Sequence, residues 1–587
     1  MSPEILKLIN ENTHGLDRLP IPSLDDTCER YLKSAKPLLS EADYAAHEKL
    51  VNEFKTTVGP ELQELLVAGD KHEGYPHSFI ERDWDLMYNE LRCTTPVNVS
   101  PYFGITDEKD PSKQNQIGRA ATFISGFTRW TRKLLDGTFE PDKGACSSAF
   151  APMFATAKVP KAGCDILEWH QDSKHVVILC NGHIFTLQVL SADNTILDVA
   201  GIEAKLKEIV SQSKEAASPS TAVQLLTSDE RPVWVTAREQ LMSANADALK
   251  AVDAGLLVVC LDAAPSSADP TVEKCTRLLI GDGMNRWWDK QQLIVDGSGG
   301  MGMTFEHSYS DGTIWGRLIR EVMCASDGAD SGVAPLPTLP THTAADAPAP
   351  EKVIFSVPAA VEGSIAAAAQ NYAKLQSNMG LAALDFKDFG KNEFKTWGCS
   401  PDAVVQLAFQ CAYYKMHGKP PPVYEACATR KFFHGRTETI RSCTEHSTAL
   451  AKAFASGKAT AEMVQEAAKT HGAISKAAAG GSGYDRHLYA LASIASQKNM
   501  SVELFSNPVF TGTKTWLLST SNGSQPYLDL FGFGPTTPEC YGLGYLIGGN
   551  AVSVAVSSFK DATMNSSPKM AAAIADTLRE MQKLFKK

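Results

Sequence analysis

The stretch 332–350, GVAPLPTLPTHTAADAPAP, limits most what this chain can fold into. Its prolines withhold backbone donors and favour an extended path, so no helix or central strand runs through it. It carries few large apolar side chains and reads as the crossing between two halves. A chain of 587 residues would divide into about three to five domains at ~100–200 residues each. Large α/β enzymes use fewer and bigger units, and one crossing predicts two, 1–350 and 351–587. The extreme N-terminus is left free to pack on the C-terminal unit.

Both halves mix helix and strand signals. HVVILC and HIFTLQVL flank Asn181–Gly182, a dipeptide that suits a tight hairpin turn. The run LLVVCL at 256–261 predicts a buried strand. Between residues 400 and 418, Ser400 is placed to cap a helix, Pro401 suits its first turn, and Gly418 ends it. After Ser567, Met570, Ile574, Leu578 and Met581 fall on one helical face. Interleaved elements of this kind predict α/β architecture with a mixed sheet in each half. No repeat of 20–50 residues is present, which excludes solenoids and propellers.

The balance of 56 basic against 67 acidic residues gives a net charge of −11 and argues against a nucleic-acid binder. Thirteen cysteines lie scattered without a CxxC pair, as expected of reduced thiols in an intracellular protein. MSPEILKLINENTHGLDRLP contains acidic residues and no apolar core, unlike a signal peptide. The longest apolar runs fall far short of the ~18 residues that span a bilayer. No HExxH or paired Cys/His spacing points to a metal.

DGSGGMGM matches GxGxxG, but a strand pattern follows it where a dinucleotide site needs a helix, so the glycines read as a hairpin turn. His307 comes next, in FEHSYSDG, with Asp311 four residues on. A histidine at a strand end near a carboxylate suits a general base, although from spacing alone a lone histidine is more often structural.

NRWWDKQQLIVDGSGGMGMTFEHSYSDG resembles the segment around the catalytic histidine of the choline/carnitine acyltransferases. LPIPSLDDTCERYL resembles their N-terminal signature, although Asp17 and Arg18 depart from its first Leu-Pro pair. LLTSDERPVWVTAREQL, VYEACATRKFFHGRTETIRS, YDRHL, LSTSN and GFGP follow in family order. The resemblance covers essentially the whole chain. It implies two chloramphenicol-acetyltransferase-like domains with an active-site tunnel between them. It also implies reversible transfer of a short acyl group, chiefly acetyl, between coenzyme A and L-carnitine, with no metal and no acyl-enzyme.

By the same resemblance His307 is the base, assisted by Asp311, and Ser521 donates to the oxyanion. Tyr424, Thr437, Thr439, Arg486 and Ser519 form the carnitine pocket, and Phe533 faces the trimethylammonium. An arginine suits a carboxylate because two parallel N–H groups can grip it. Ala426 stands where many carnitine-using relatives have a serine. Lys391, Lys395 and Asp402 would contact coenzyme A. Phe531 occupies the acyl-gate position, where a bulky residue excludes long chains. The expected partners are therefore carnitine and acyl-coenzyme A, with no nucleic acid, a monomeric state, and a mitochondrial or peroxisomal location. Choline, a medium-chain donor, or a non-catalytic coenzyme A-binding role are the alternatives.

Overall fold

A computed structural model describes residues 15–75, 77–267, 269–327 and 336–586. The segment 1–14, which bears most of the leader-peptide reading, and residues 332–335 of the crossing lie outside the described residues. Among the described residues two large mixed sheets organise the chain. The first orders eight strands: Glu351–Val353, His183–Gln188, His175–Cys180, Val258–Leu261, Gln292–Val295, Met301–Thr304, Tyr102–Ile105 and Leu528–Gly532. The second orders six: Met379–Phe386, Val552–Phe559, Tyr541–Ile547, Leu518–Asn522, Val423–Ala428 and Thr437–Ile440. Helices cover both sheets, and the predicted mixed α/β architecture is observed.

Local sequence explains much of this. Asn181 and Gly182 take positive φ, 51° and 80°, and turn His175–Cys180 into its antiparallel partner His183–Gln188. Gln292–Val295 and Met301–Thr304 pair antiparallel around the glycine run, so those glycines make a hairpin, as the missing helix predicted. The helix Pro401–His417 ends on Gly418 in the left-handed region. Ser400 occupies its N-cap but makes no side-chain capping bond, contrary to expectation; the start rests on Pro401 at the first turn. Ser566 caps the final helix, Ser567–Phe585, whose Met570, Ile574, Leu578 and Met581 are buried. Within the described part of the crossing Thr341–His342 pairs in parallel with Ile196–Leu197, and a turn rather than an extended path follows, with Asp346 N–H donating to the Thr343 carbonyl at 3.1 Å.

The chain passes between the two sheets more than once. Leu528–Gly532 leaves the C-terminal half to pair with Tyr102–Ile105 at the edge of the first sheet. Close approach there requires glycine: a Cβ on Gly532 would meet the Tyr102 hydroxyl at 2.2 Å, and one on Gly534 the Val97 carbonyl at 2.2 Å. Helices Leu24–Ala35, Glu41–Thr56 and Val58–Glu73 share a core with Asp485–Gln497 near the other end of the chain. These crossings bring side chains from both halves to one cavity.

Candidate active site

A cavity of about 470 Å³ lies between the sheets. His307, Asp311 and Phe305 line it from the first half, Tyr424, Thr437, Ser519, Ser521, Phe531 and Phe533 from the second, and Trp84 and Tyr88 from the helix Glu81–Asn89.

His307 lies three residues beyond the strand Met301–Thr304, and a ring of contacts fixes it. The Tyr88 ring stacks on its imidazole at 5.2 Å with planes 12° apart. Arg436 donates to the His307 carbonyl at 3.0 Å and the Ser308 carbonyl at 2.7 Å, and to Asp311 at 2.8 Å. The preceding Glu306 is buried, accepts from Ser308, and lies 3.5 Å from the buried Lys158 ammonium. Lys158 also donates to the Tyr88 carbonyl at 2.9 Å, which ties that helix to the histidine loop.

Asp311 comes within 3.9 Å of His307 Nδ1, too far for a hydrogen bond, and its carboxylate is engaged by Arg436. Nδ1 is buried without a partner. Burial lowers the His307 pKa below its usual 6.5; Asp311 pulls it up and Arg436 pushes it down, leaving a net fall. The imidazole is therefore neutral at neutral pH and able to accept a proton.

Across the cavity, Ser519 and Ser521 share a face of the strand Leu518–Asn522. Thr520 points the other way, accepting from Gln406 at 2.8 Å and donating to the Tyr424 carbonyl at 2.9 Å. No described residue hydrogen-bonds the Ser521 hydroxyl, which stays free to donate.

Arg486 stands at the first turn of the helix Asp485–Gln497. It donates to the Thr437 carbonyl at 2.8 Å, and to the hydroxyls of Thr437 at 3.2 Å, Tyr424 at 3.3 Å and Thr439 at 3.4 Å. Its guanidinium lies 3.8 Å from the centre of the Trp84 ring. The other buried arginines, such as Arg231, Arg286 and Arg441, all reach a carboxylate. Arg486 is 6% exposed and, among the described residues, forms no ion pair. Beside it Trp84 Nε1 is buried without an acceptor. The buried Glu438 accepts the Arg486 backbone N–H at 3.4 Å and, with Asp485, acts on the guanidinium from beyond ion-pair distance. A cation without a direct ion pair, with a spare donor beside it, favours an anionic ligand there.

Phe531 is buried at the cavity wall, 4.7 Å from Phe103 and 5.7 Å from Phe533 between ring centres. Lys391 and Lys395 are exposed on the helix Lys391–Thr396, away from the cavity lining and without an ion pair among the described residues. Asp402 does not line the cavity either. It accepts from Asn522 at 2.9 Å and Tyr545 at 2.7 Å, and so holds the end of the strand that bears Ser521.

Trp84, Tyr88, Arg436 and Trp516 are absent from the sequence-based site. Arg436 lies inside a recognised motif, GRTETIR, and Trp516 lies beside another, LSTSN, while the helix with Trp84 and Tyr88 has no motif signal. Other signature residues prove to be scaffold. Arg231 bonds Asp165 at 2.7 Å and Asp289 at 2.6 Å, Trp234 bonds Asp289 at 2.7 Å, and Thr227 accepts from the Trp288 backbone at 3.1 Å. The segments LLTSDERPVW and NRWWDK thus clamp each other in the interior, behind the strands that lead to His307.

The Choline/Carnitine o-acyltransferase family model matches residues 19–576, and the chain belongs to that family. It is 32% identical to "Carnitine O-palmitoyltransferase 2, mitochondrial" of Macaca fascicularis, over 93% of this chain and 88% of the relative. It is 30% identical to "Putative mitochondrial carnitine O-acetyltransferase" of Saccharomyces cerevisiae, over 98% of this chain and 94% of the relative. Among solved structures, the first condensation domain of the CDA synthetase overlaps 86% of this chain and 94% of its own, at TM-score 0.37 and 10% identity. Among the described residues no helix is long and apolar enough to cross a membrane.

Proposed function

We propose that this acyltransferase reversibly transfers a short acyl group, chiefly acetyl, between coenzyme A and carnitine. The unpaired Arg486 guanidinium carries the choice of carnitine over choline. Carnitine has a carboxylate to neutralise that cation, and choline has none. Tyr424, Thr437 and Thr439 hydroxyls, with Trp84 Nε1, supply the neighbouring polar contacts, Ser519 supports that side, and the Phe533 face suits the trimethylammonium.

His307 takes the proton of the carnitine hydroxyl, and that oxygen attacks the thioester carbonyl. Ser521 donates to the oxyanion, a contact worth ~2.7–4 kcal/mol in comparable sites. Collapse breaks the C–S bond, and the thiolate recovers the proton from His307. Asp311 serves the histidine through Arg436 and by charge rather than by a direct hydrogen bond. The unpaired Lys391 and Lys395 are the cations assigned to coenzyme A phosphates, and Asp402, bonded to Asn522 at the end of the strand that bears Ser521, is assigned to the same cofactor.

The names of the relatives divide between palmitoyl and acetyl, so the short-chain reading rests on Phe531, whose ring fills the wall an extended chain would need. The division at residue 350, a monomeric state and a mitochondrial location belong to the same proposal; the last follows the relatives' names. The test is thiol release from acetyl-, octanoyl- and palmitoyl-coenzyme A with carnitine or choline as acceptor. Acetyl with carnitine should be fastest. Faster turnover of palmitoyl, or of choline, refutes the corresponding half.

A further inference from the structure

A second cluster of potential ligands lies at the start of the helix Glu81–Asn89, away from the cavity lining. Glu81 accepts from His77 Nδ1 at 3.1 Å and from His434 Nδ1 at 2.8 Å, both on the same oxygen, Oε1. The two rings meet edge-on with centres 5.6 Å apart, and the three ligand atoms all lie within 4.8 Å of one another. We propose that His77, Glu81 and His434 form a binding site for a single borderline-soft divalent cation of the Zn²⁺ class.

Geometry and chemistry agree on this. A tetrahedral Zn²⁺ with bonds of 2.0–2.2 Å separates its ligand atoms by about 3.3 Å. The spacings of His77 and His434 to Glu81, 3.1 and 2.8 Å, lie within roughly half an ångström of that, and the two imidazole nitrogens, within 4.8 Å of each other, would close up around the ion. Two imidazoles and one carboxylate select Zn²⁺ over Mg²⁺ or Ca²⁺, which prefer oxygen. The ion would displace the two Nδ1 protons that now point at Glu81. The His77 side chain is 49% exposed, which leaves an open side for water as the fourth ligand.

His434 is held for this position. It takes φ of 53°, unusual for a non-glycine residue, donates its backbone N–H to Cys146 Sγ at 3.2 Å, and stacks on Phe433 with ring centres 4.3 Å apart. Ser78 N–H donates to the second Glu81 oxygen at 3.3 Å. In the other cluster of potential ligands, Asp402, Glu425 and His471, the last two are buried and Asp402 is bonded to Asn522 and Tyr545, whereas His77 is open to solvent.

The position gives the ion a consequence. Glu81, Trp84 and Tyr88 lie on one side of a single helix, and Trp84 and Tyr88 meet Arg486 and His307. His434 is two residues from Arg436, which holds Asp311 and the His307 carbonyl. A bound cation clamps that turn to that helix, joining two segments that both frame the active site.

The experiment titrates the chelator-stripped full-length chain with ZnCl₂ by calorimetry and with Co²⁺ by absorbance. One equivalent should bind and raise the unfolding midpoint, and the Co²⁺ spectrum should lack a thiolate charge-transfer band. His77→Ala, Glu81→Gln and His434→Asn should each weaken binding at least roughly tenfold, the lower end of what even an outer-shell change costs. Asn tolerates the left-handed backbone, and His77 is exposed, so both variants should retain the wild-type circular dichroism. No saturable binding, binding that survives the His77→Ala/His434→Asn double variant, or a thiolate band, which assigns the metal to cysteines, overturns the proposal.

Discussion

The two ends of the cavity are built on opposite principles. At the His307 end the surroundings are closed: Arg436 takes Asp311 and two carbonyls, Glu306 takes Ser308 and Lys158, and Tyr88 covers the ring. The imidazole Nδ1 is left without a partner. At the Arg486 end the surroundings are open: the guanidinium meets hydroxyls, a carbonyl and an indole face but no carboxylate, and Trp84 Nε1 has no acceptor. A base that must pass one proton back and forth benefits from fixed geometry and a low pKa. A pocket that must recognise an anion benefits from a charge that only the ligand completes. The nearby Arg441, bidentate to Asp485 at 2.5 and 2.8 Å, shows how the same fold treats an arginine that serves structure.

The strongest test of the closed end is His307→Ala. Loss of a positioned base costs about 10²–10⁴-fold in turnover, while coenzyme A binding by equilibrium titration should persist. Turnover above roughly one part in a hundred of wild type would remove His307 from the chemistry. For the open end, Arg486→Asn with Thr437→Val should raise the carnitine KM about 10- to 150-fold, the equivalent of ~1.5–3 kcal/mol for a charge-assisted bond, and shift preference toward choline. An unchanged acceptor ratio would mean that another group reads the carboxylate.

Between the two ends, Phe531→Gly should raise the octanoyl-to-acetyl turnover ratio roughly tenfold or more by reshaping an apolar pocket. It should also lower the unfolding midpoint, since removing a buried aromatic costs ~3–5 kcal/mol. A ratio that does not move would show that Phe531 packs the core without gating the chain. The smallest effect concerns pH. Burial leads the causes that lower the His307 pKa, and its neutral form accepts the proton, so activity is lost only as pH falls through that lowered value. The acid limb of kcat/KM should lie below pH 6.5, and a limb at or above 6.5 would contradict the dry environment.

Local structure was legible in the sequence wherever a residue's own backbone preference decides. Asn181–Gly182, the glycine run after Val295, Pro401 and Gly418 behave as their φ preferences require. The mixed α/β class followed from interleaved periodicities, and the order of motifs pointed to His307, Ser521, Tyr424 and Thr437, which line the cavity, and to Arg486, which stands behind Tyr424 and Thr437 and is bonded to both. Ser400 shows the limit: its type suits a cap, yet a hydroxyl's partner depends on where the neighbouring backbone goes.

What the tertiary structure alone decided is partnership. Whether Arg231 or Arg486 is the one left without a carboxylate cannot be read from either residue, because the partners lie elsewhere in the chain; for Arg231 these are Asp165 and Asp289. Trp84 and Tyr88 carry no motif, and they join the site only because the helix Glu81–Asn89 packs between His307 and Arg486. Backbone preferences act over a few residues and are written locally in the sequence. Burial, charge pairing and cavity shape arise where distant segments meet, so they are fixed only when the two sheets and their crossing strand come together.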